Sequence, residues 1–254
     1  MTTFADRVVP FGTCFNFRDL GGYQTEGGAR VRWKTLFRAD TLHRLDGADL
    51  DAFHRLGLRT VIDLRSQHEL DDHGQLRPRA DGGGSAVHHL PMIDEVGGPS
   101  RPIAEPPPVR LTAGEAYVSM ADLGRQAIGR AVTLLARSDG VPAVFHCTTG
   151  KDRTGILAAV VLAALGVSDD DIVHDYMLTA ECRTARDAYL QVHDPDYYAF
   201  VQSLPAAIRE MDAESIPTML RWIRDEHGSV TEYLRAGGVD QVTLTALQAN
   251  LLER

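Results

Sequence analysis

Four short apolar runs stand out along the chain, each rich in β-branched or aromatic residues and each bounded by polar or turn-forming positions. They are Thr35–Ala39, Arg59–Ser66, Ala86–Met92 and Pro142–Cys147, and they are predicted as strands. Helical spacing lies between some of them. Asp46–Gly57 places Leu50, Phe53 and Leu56 on one side. Ala121–Gly140 places Leu123, Ala127, Ala131 and Leu134 with Leu135 on one face. Strands alternating with helices imply crossover units and a mostly parallel sheet. The expectation is one α/β domain over residues 1–254, with four to five strands flanked by helices and a largely helical second half.

Two stretches break the pattern. Glu95–Gly114 holds five prolines and three glycines and reads as an exposed loop or lid. Residues 183–216 include an aromatic segment interrupted by Pro195 and are a candidate helical lid. Between them, Ile156–Leu165 is apolar on nearly every face, which predicts a buried helix that stops at Gly166. Ser168–Asp171 offers an N-cap and a capping partner for the next helix.

Composition narrows the function. The chain of 254 residues carries a formal charge of -9. Such an acidic protein is a poor partner for nucleic acid and is repelled on average by anionic membranes. Ile156–Leu165 is about half of what spans a bilayer, so no stable membrane insertion is expected. Three sparse cysteines, Cys14, Cys147 and Cys182, form no disulfide framework and fit a reducing compartment. The first residues lack a basic segment followed by an apolar one, so a cytoplasmic location is expected.

The chemistry gathers where the fourth strand ends, in "HCTTGKDRTG", His146–Gly155. A strand–turn–helix unit aims backbone N–H groups and the positive end of the helix dipole into the turn. That geometry attracts an anion and stabilises a thiolate at Cys147. Gly150 permits a tight cradle. Arg153 can grip two oxygens of a phosphate, and Thr154 is placed to donate its hydroxyl back to the sulfur. Thr148, Thr149, Gly150, Lys151, Asp152 and Arg153 would line the phosphate. A sulfur nucleophile below such a cradle implies in-line attack on phosphorus and a cysteinyl-phosphate intermediate, with no cofactor or metal required. A nucleotide-binding loop of Walker type is excluded by spacing, since Lys151 is followed by Asp152.

"HCTTGKDRTG" resembles the H-C-x5-R-[ST]-G signature of the cysteine-dependent protein tyrosine phosphatase superfamily, and "GKDR" within it resembles the bacterial branch that also acts on phosphoinositides. "NFRDLGGY" (Asn16–Tyr23), "LFRAD" (Leu36–Asp40), "TVIDLRS" (Thr60–Ser66), "DYMLT" (Asp175–Thr179) and "HGSVTEYLRAGGV" (His227–Val239) are similar to other parts of that family. The resemblance implies Cys147 as nucleophile, Arg153 as phosphate clamp and Lys151 as added charge. It implies Asp152 as general acid, because neither tryptophan, Trp33 or Trp222, begins the W-P-D loop used elsewhere in the superfamily. A phosphorylated protein, a phosphoinositide or a small phosphorylated metabolite is the implied substrate.

Competing readings accompany several residues. Asp63 ends a predicted parallel strand, where α/β sites gather, and is the alternative acid. Its structural reading is a bond to neighbouring loops. Asp194 and Asp196 could act from a lid or simply build the turn around Pro195. Asn16, Arg18 and Asp19 read as a polar network near the site, with substrate contact by Arg18 and Arg65 as the sharper alternative. His146 is expected to be buried and to shape the cradle. His88 and His89 are adjacent in a strand, point to opposite faces and cannot share a metal. Cys14 and Cys182 are small buried residues or partners of an oxidised Cys147.

Overall fold

The computed structural model describes residues 3–78, 84–93 and 112–254. Its strands are β1 (Arg18–Asp19), β2 (Arg30–Val31), β3 (Leu36–Ala39), β4 (Thr60–Asp63), β5 (Ala86–His89), β6 (Ala143–His146) and β7 (Leu252–Glu253). The helices of the first half are α1 (Phe4–Arg7), α2 (Gly47–Arg55), α3 (Gln67–His73), α4 (Ala113–Leu123) and α5 (Arg125–Ala136). Those of the second half are α6 (Asp152–Ala164), α7 (Asp169–Met177), α8 (Arg183–His193), α9 (Pro195–Ser203), α10 (Ala206–Arg209), α11 (Ser215–His227), α12 (Val230–Ala236) and α13 (Gln241–Leu251).

Five strands form one sheet in the order β1-β3-β6-β4-β5, with β1 antiparallel and the other pairings parallel. β2 and β7 pair separately. All four predicted strands are present, each shorter at one or both ends than its apolar run. Their alternation explains why the runs read as continuously apolar. Phe37, Val61 and Val144 face a cluster with Phe17, Phe53 and Leu58 on the α2 side. Leu36, Ile62 and Phe145 face the larger cluster formed with α4, α5, α6, α11, α12 and α13. A strand buried on both faces has no polar face to alternate with.

α6 is the central buried helix. Ile156 to Leu162 are at most 1 % exposed on every side, as the all-round apolar pattern predicts. It stops at Gly166, which takes a φ of +84°. Ser168 then caps α7 by accepting from the Asp171 amide at 3.3 Å.

Two boundaries differ from expectation. The predicted loop Glu95–Gly114 lies outside the described residues up to position 111, and its last residues enter α4. Thr112 and Glu115 close a capping box there, with the Thr112 hydroxyl accepting from the Glu115 amide at 3.2 Å. The helix predicted over Ala121–Gly140 is in fact the end of α4 and all of α5, broken at Gly124. A side chain at Gly124 would lie 2.4 Å from Met92 Cγ, so the two helices turn where the chain passes closest to Met92.

Candidate active site

The parallel strands β3, β6 and β4 all end on the same side of the sheet, and the turn His146–Gly155 leaves from the middle one. Cys147 follows β6 directly and is 1 % exposed. The turn rises from it into the first residues of α6, where Asp152, Arg153 and Thr154 sit.

The turn is held from outside by its carbonyls. Thr148 C=O accepts from the Thr41 amide at 3.2 Å. Gly150 C=O accepts from Arg38 Nη2 at 2.6 Å and from Asn16 Nδ2 at 3.0 Å, and Thr149 C=O accepts from Asn16 Nδ2 at 3.4 Å. Because a trans peptide sets its N–H opposite its C=O, each carbonyl drawn outward turns the following amide inward. The amides of Thr149 and Gly150 find no acceptor among the described residues. These two amides are therefore left as available donors in the turn that follows Cys147. Gly150 makes this closure sterically feasible: it has a φ of +66°, and a Cβ there would lie 2.6 Å from Ala39 O and 2.7 Å from Asn16 Nδ2.

Behind the turn lies a fully buried charge network. Asp175 of α7 accepts from Arg18 Nε at 3.1 Å and from Arg38 Nη1 at 2.7 Å. Arg18 also reaches Asp175 C=O at 2.8 Å, Thr179 Oγ1 at 3.2 Å and Asn16 Oδ1. Burial pushes the Asp175 carboxyl up, and the two guanidinium groups outweigh it, leaving its pKa at about 2. Asp40 fixes the segment that carries Asn16 by accepting from the amides of Phe15 and Asn16 at 3.0 Å each.

Arg153 is clamped from the third strand's side. Its Nη1 donates to Glu69 Oε2 at 2.5 Å and its Nη2 to Glu69 Oε1 at 2.8 Å, and the Thr148 hydroxyl also donates to Oε1. Glu69 is itself pinned, because Ser66 and Glu69 close the capping box of α3. Burial raises the Glu69 pKa, and the bonds from Arg153 and Thr148 more than offset that, bringing it to about 2. Burial opposes the Arg153 charge and Glu69 restores it, so Arg153 is held above its ordinary range.

A buried cysteine at the start of a turn with available amides, followed by an arginine in the first turn of the next helix, is a layout that suits an anion. A sequence model of the tyrosine phosphatase family matches residues 9–253. The chain belongs to the tyrosine phosphatase family. The phosphatase is 30% identical to the triple specificity protein phosphatase PtpB of Mycobacterium tuberculosis, over 94% of this chain and 96% of that protein. It is 32% identical to a Cupriavidus necator protein assigned as a tyrosine-protein phosphatase, over 89% of this chain and 82% of the relative. A tyrosine-protein phosphatase of Nostoc commune is 32% identical over 56% of this chain and 47% of its own length.

The phosphatase brings together most of the residues singled out in the sequence. Asp152 sits in the first turn of α6 with its side chain one-third exposed, and its Oδ1 accepts from Tyr117 Oη at 2.7 Å and lies 3.4 Å from Lys151 Nζ. Lys151 is buried beside it. His146 is buried, with Nδ1 3.2 Å from Cys147 O and Nε2 3.7 Å from Asp63 Oδ2. Burial holds its pKa below the usual value, which suits a structural imidazole. Asp63 is 1 % exposed and bonds Arg65 Nη2 at 2.6 Å and Nε at 2.9 Å. Burial raises its pKa, but His146 and Arg65 outweigh it and hold the carboxyl well below the usual range.

Arg65 is fully buried and also donates to Gly74 C=O at 2.9 Å, and Arg18 is fully buried against Asp175. Both serve the architecture around the turn. Thr154 Oγ1 is buried and has no hydrogen-bond partner, so the expected bond from this hydroxyl to the sulfur is not made. His89 Nε2 instead donates to Arg65 C=O at 2.8 Å. Cys14 bonds Asp40 at 2.8 Å and Cys182 bonds Thr179 C=O at 3.0 Å, both as buried free thiols.

Asp194 caps α9, accepting from the Tyr197 amide at 3.3 Å, with Pro195 in the first helical turn. Tyr197 places α9 beside the cradle: its ring packs edge-on against His73 of α3, and Arg44 lies over it at 5.9 Å. Burial pushes the Tyr197 hydroxyl up to about 12, and Glu69 and Arg153 are among the charges it feels.

Arg38, Glu69, Asp175 and Tyr117 bond the turn or its partners and were not assigned from the sequence. Two had a signal. Glu69 completes the S-x-x-E pattern of a helix start at Ser66, and Glu115 does the same two residues before Tyr117. Among the described residues no helix is long and apolar enough to cross a membrane.

Proposed function

We propose that this member of the family hydrolyses phosphate monoesters through a cysteinyl-phosphate formed on Cys147. The phosphoryl oxygens bind the inward amides of the turn and the Arg153 guanidinium, with Thr148, Thr149, Gly150, Lys151 and Asp152 around them. The Cys147 thiolate attacks phosphorus in line, forming an S–P bond as the ester P–O bond breaks. The Asp152 carboxyl gives its proton to the departing oxygen, which leaves as an alcohol. Water then attacks the phosphorus, Asp152 takes one of its protons, and the S–P bond breaks to return the thiolate and release inorganic phosphate. Arg153 and the amides carry the charge on the equatorial oxygens in both steps.

The observation that carries this reading is Cys147 at the end of the central strand, followed by a turn whose Thr148, Thr149 and Gly150 carbonyls accept from Thr41, Asn16 and Arg38. Asp152 is preferred to Asp63 as the acid because Asp63 is sealed against Arg65, whereas Asp152 is one-third exposed at the rim. Phosphotyrosine in proteins is the first substrate, with activity extending to phosphoserine, phosphothreonine or phosphoinositides. The specificity named for the mycobacterial relative supports that breadth. We place the enzyme in the cytoplasm, and assign α8 and α9 as a lid because Tyr197 packs edge-on against His73 of α3, the helix that carries Glu69. Residues 9–253 then work as one catalytic unit.

Turnover of p-nitrophenyl phosphate with and without EDTA tests the mechanism. EDTA-resistant turnover that vanishes in Cys147→Ser is expected, and sustained turnover in that variant refutes the thiolate route. A panel of phosphopeptides, phosphoinositides and sugar phosphates tests the substrate, and a preference for sugar phosphates overturns the protein-phosphatase assignment.

A further inference from the structure

Tyr117 comes from α4, far in sequence from the turn, yet its hydroxyl donates to Asp152 Oδ1 at 2.7 Å. The same hydroxyl is 2.7 Å from the hydroxyl of Tyr176 on α7. Both tyrosines are at most 3 % exposed, and their rings pack edge to face at 5.8 Å. An ionised carboxylate only accepts, and Tyr117 has one hydroxyl hydrogen. That hydrogen goes to Asp152, so Tyr176 donates to Tyr117. With Asp152 ionised, the relay therefore runs from Tyr176 to Tyr117 to Asp152.

Gly155 makes room for the relay. A Cβ at Gly155 would lie 3.0 Å from the Tyr176 ring, so the glycine lets α7 bring its tyrosine against the first turn of α6. Lys151 Nζ also approaches Asp152 on Oδ1, at 3.4 Å. Tyr117 and Lys151 thus both approach Asp152 at Oδ1.

We propose that Tyr117, backed by Tyr176, is a positioning residue that reserves Oδ2 of Asp152 as the oxygen that carries the catalytic proton. A carboxyl whose Oδ1 already accepts a hydrogen and faces an ammonium group takes its own proton on Oδ2. In the first step that proton moves from Oδ2 to the leaving oxygen, and in the second Oδ2 takes one proton from the attacking water. Tyr117 gives up no proton in either step. Burial and the neighbouring Asp152 charge hold its hydroxyl well above the ordinary phenol range, so it remains a donor throughout. Its contribution is to fix the rotation of the carboxyl, which geometric control of a proton donor requires.

The inference rests on Asp152 as the proton donor, and the test separates the two. kcat/KM is measured for p-nitrophenyl phosphate, whose phenolate leaves readily without a proton, and for phenyl phosphate, whose leaving group has a pKa of about 10. Tyr117→Phe is expected to lower kcat/KM about tenfold on phenyl phosphate and by less than about twofold on p-nitrophenyl phosphate. In an Asp152→Asn background it is expected to have no further effect, because a residue acting only through Asp152 has nothing left to position. Tyr176→Phe shows the same selectivity with a smaller loss, and serves as the readout where thermal unfolding shows that Tyr117→Phe is not folded. Equal losses on both substrates, or losses that add to those of Asp152→Asn, overturn the inference and leave Tyr117 a packing residue. If Asp152→Asn itself shows no leaving-group selectivity, the proton-donor assignment falls and this inference with it. Selectivity in Asp152→Asn without selectivity in Tyr117→Phe overturns the inference alone.

Discussion

Asp175→Asn is the most informative perturbation of the architecture, because one carboxylate balances two fully buried guanidinium groups. Asp175 accepts from Arg18 Nε and from Arg38 Nη1, and Arg38 in turn holds the Gly150 carbonyl at 2.6 Å. The displacement of its pKa from 3.8 to about 2 corresponds to about 2 kcal/mol of folded-state preference for the charged form. The folded value lies below the unfolded one. The stabilisation is therefore complete above about pH 5 and is lost as the pH falls toward 2. Substitution costs more than protonation, because asparagine has a single acceptor oxygen and leaves two buried cations without a counter-charge. A loss of about 3–5 kcal/mol is expected. Urea unfolding at pH 7, followed by far-ultraviolet circular dichroism, measures it. With a slope near 3 kcal/mol/M the midpoint should drop by about 1 to 2 M. kcat/KM on p-nitrophenyl phosphate should fall about tenfold at the same time, because an unanchored Arg38 no longer draws the Gly150 carbonyl outward. A stability loss under about 1 kcal/mol, or full activity in a destabilised variant, refutes the claim that this network shapes the cradle.

Gly150→Ala should abolish phosphate binding and cost at least about 1–3 kcal/mol, because the new Cβ would meet Ala39 O at 2.6 Å in a left-handed backbone; titration calorimetry with inorganic phosphate and a thermal melt check this, and wild-type affinity contradicts it. Glu69→Gln should tighten inhibition by inorganic phosphate about three- to tenfold, since a dianion approaching Arg153 no longer meets a carboxylate already bonded to both terminal nitrogens. With the Glu69 pKa held at about 2, Glu69 stays ionised from pH 5 to 8, and an inhibition constant that is unchanged or weaker removes Glu69 as a competitor.

The cradle was legible in sequence because it is contiguous. Strand, turn and helix follow one another within His146–Gly155, so the residues of the turn stay together whatever the rest of the chain does. The inner strands β3, β4 and β6 were legible because strands buried on both faces leave continuous apolar runs. Side chains whose partners lie across the fold were not legible in the same way. Nothing local distinguishes Asp63 from Asp152 as an acid. Packing sets their surroundings apart, sealing Asp63 against Arg65 and leaving Asp152 at the rim beside Tyr117.

The sequence by itself determined the strand–turn–helix unit that carries Cys147 and Arg153 and the order of elements around it, because both depend on local backbone geometry and hydrophobic period. Only the tertiary structure decided what grips that centre. Glu69 on Arg153, Arg38 and Asn16 on Gly150, Asp175 between two arginines, and Tyr117 on Asp152 all join residues more than thirty positions apart. Hydrogen bonds of that span are fixed by how helices and strands pack, and chain spacing carries no trace of them.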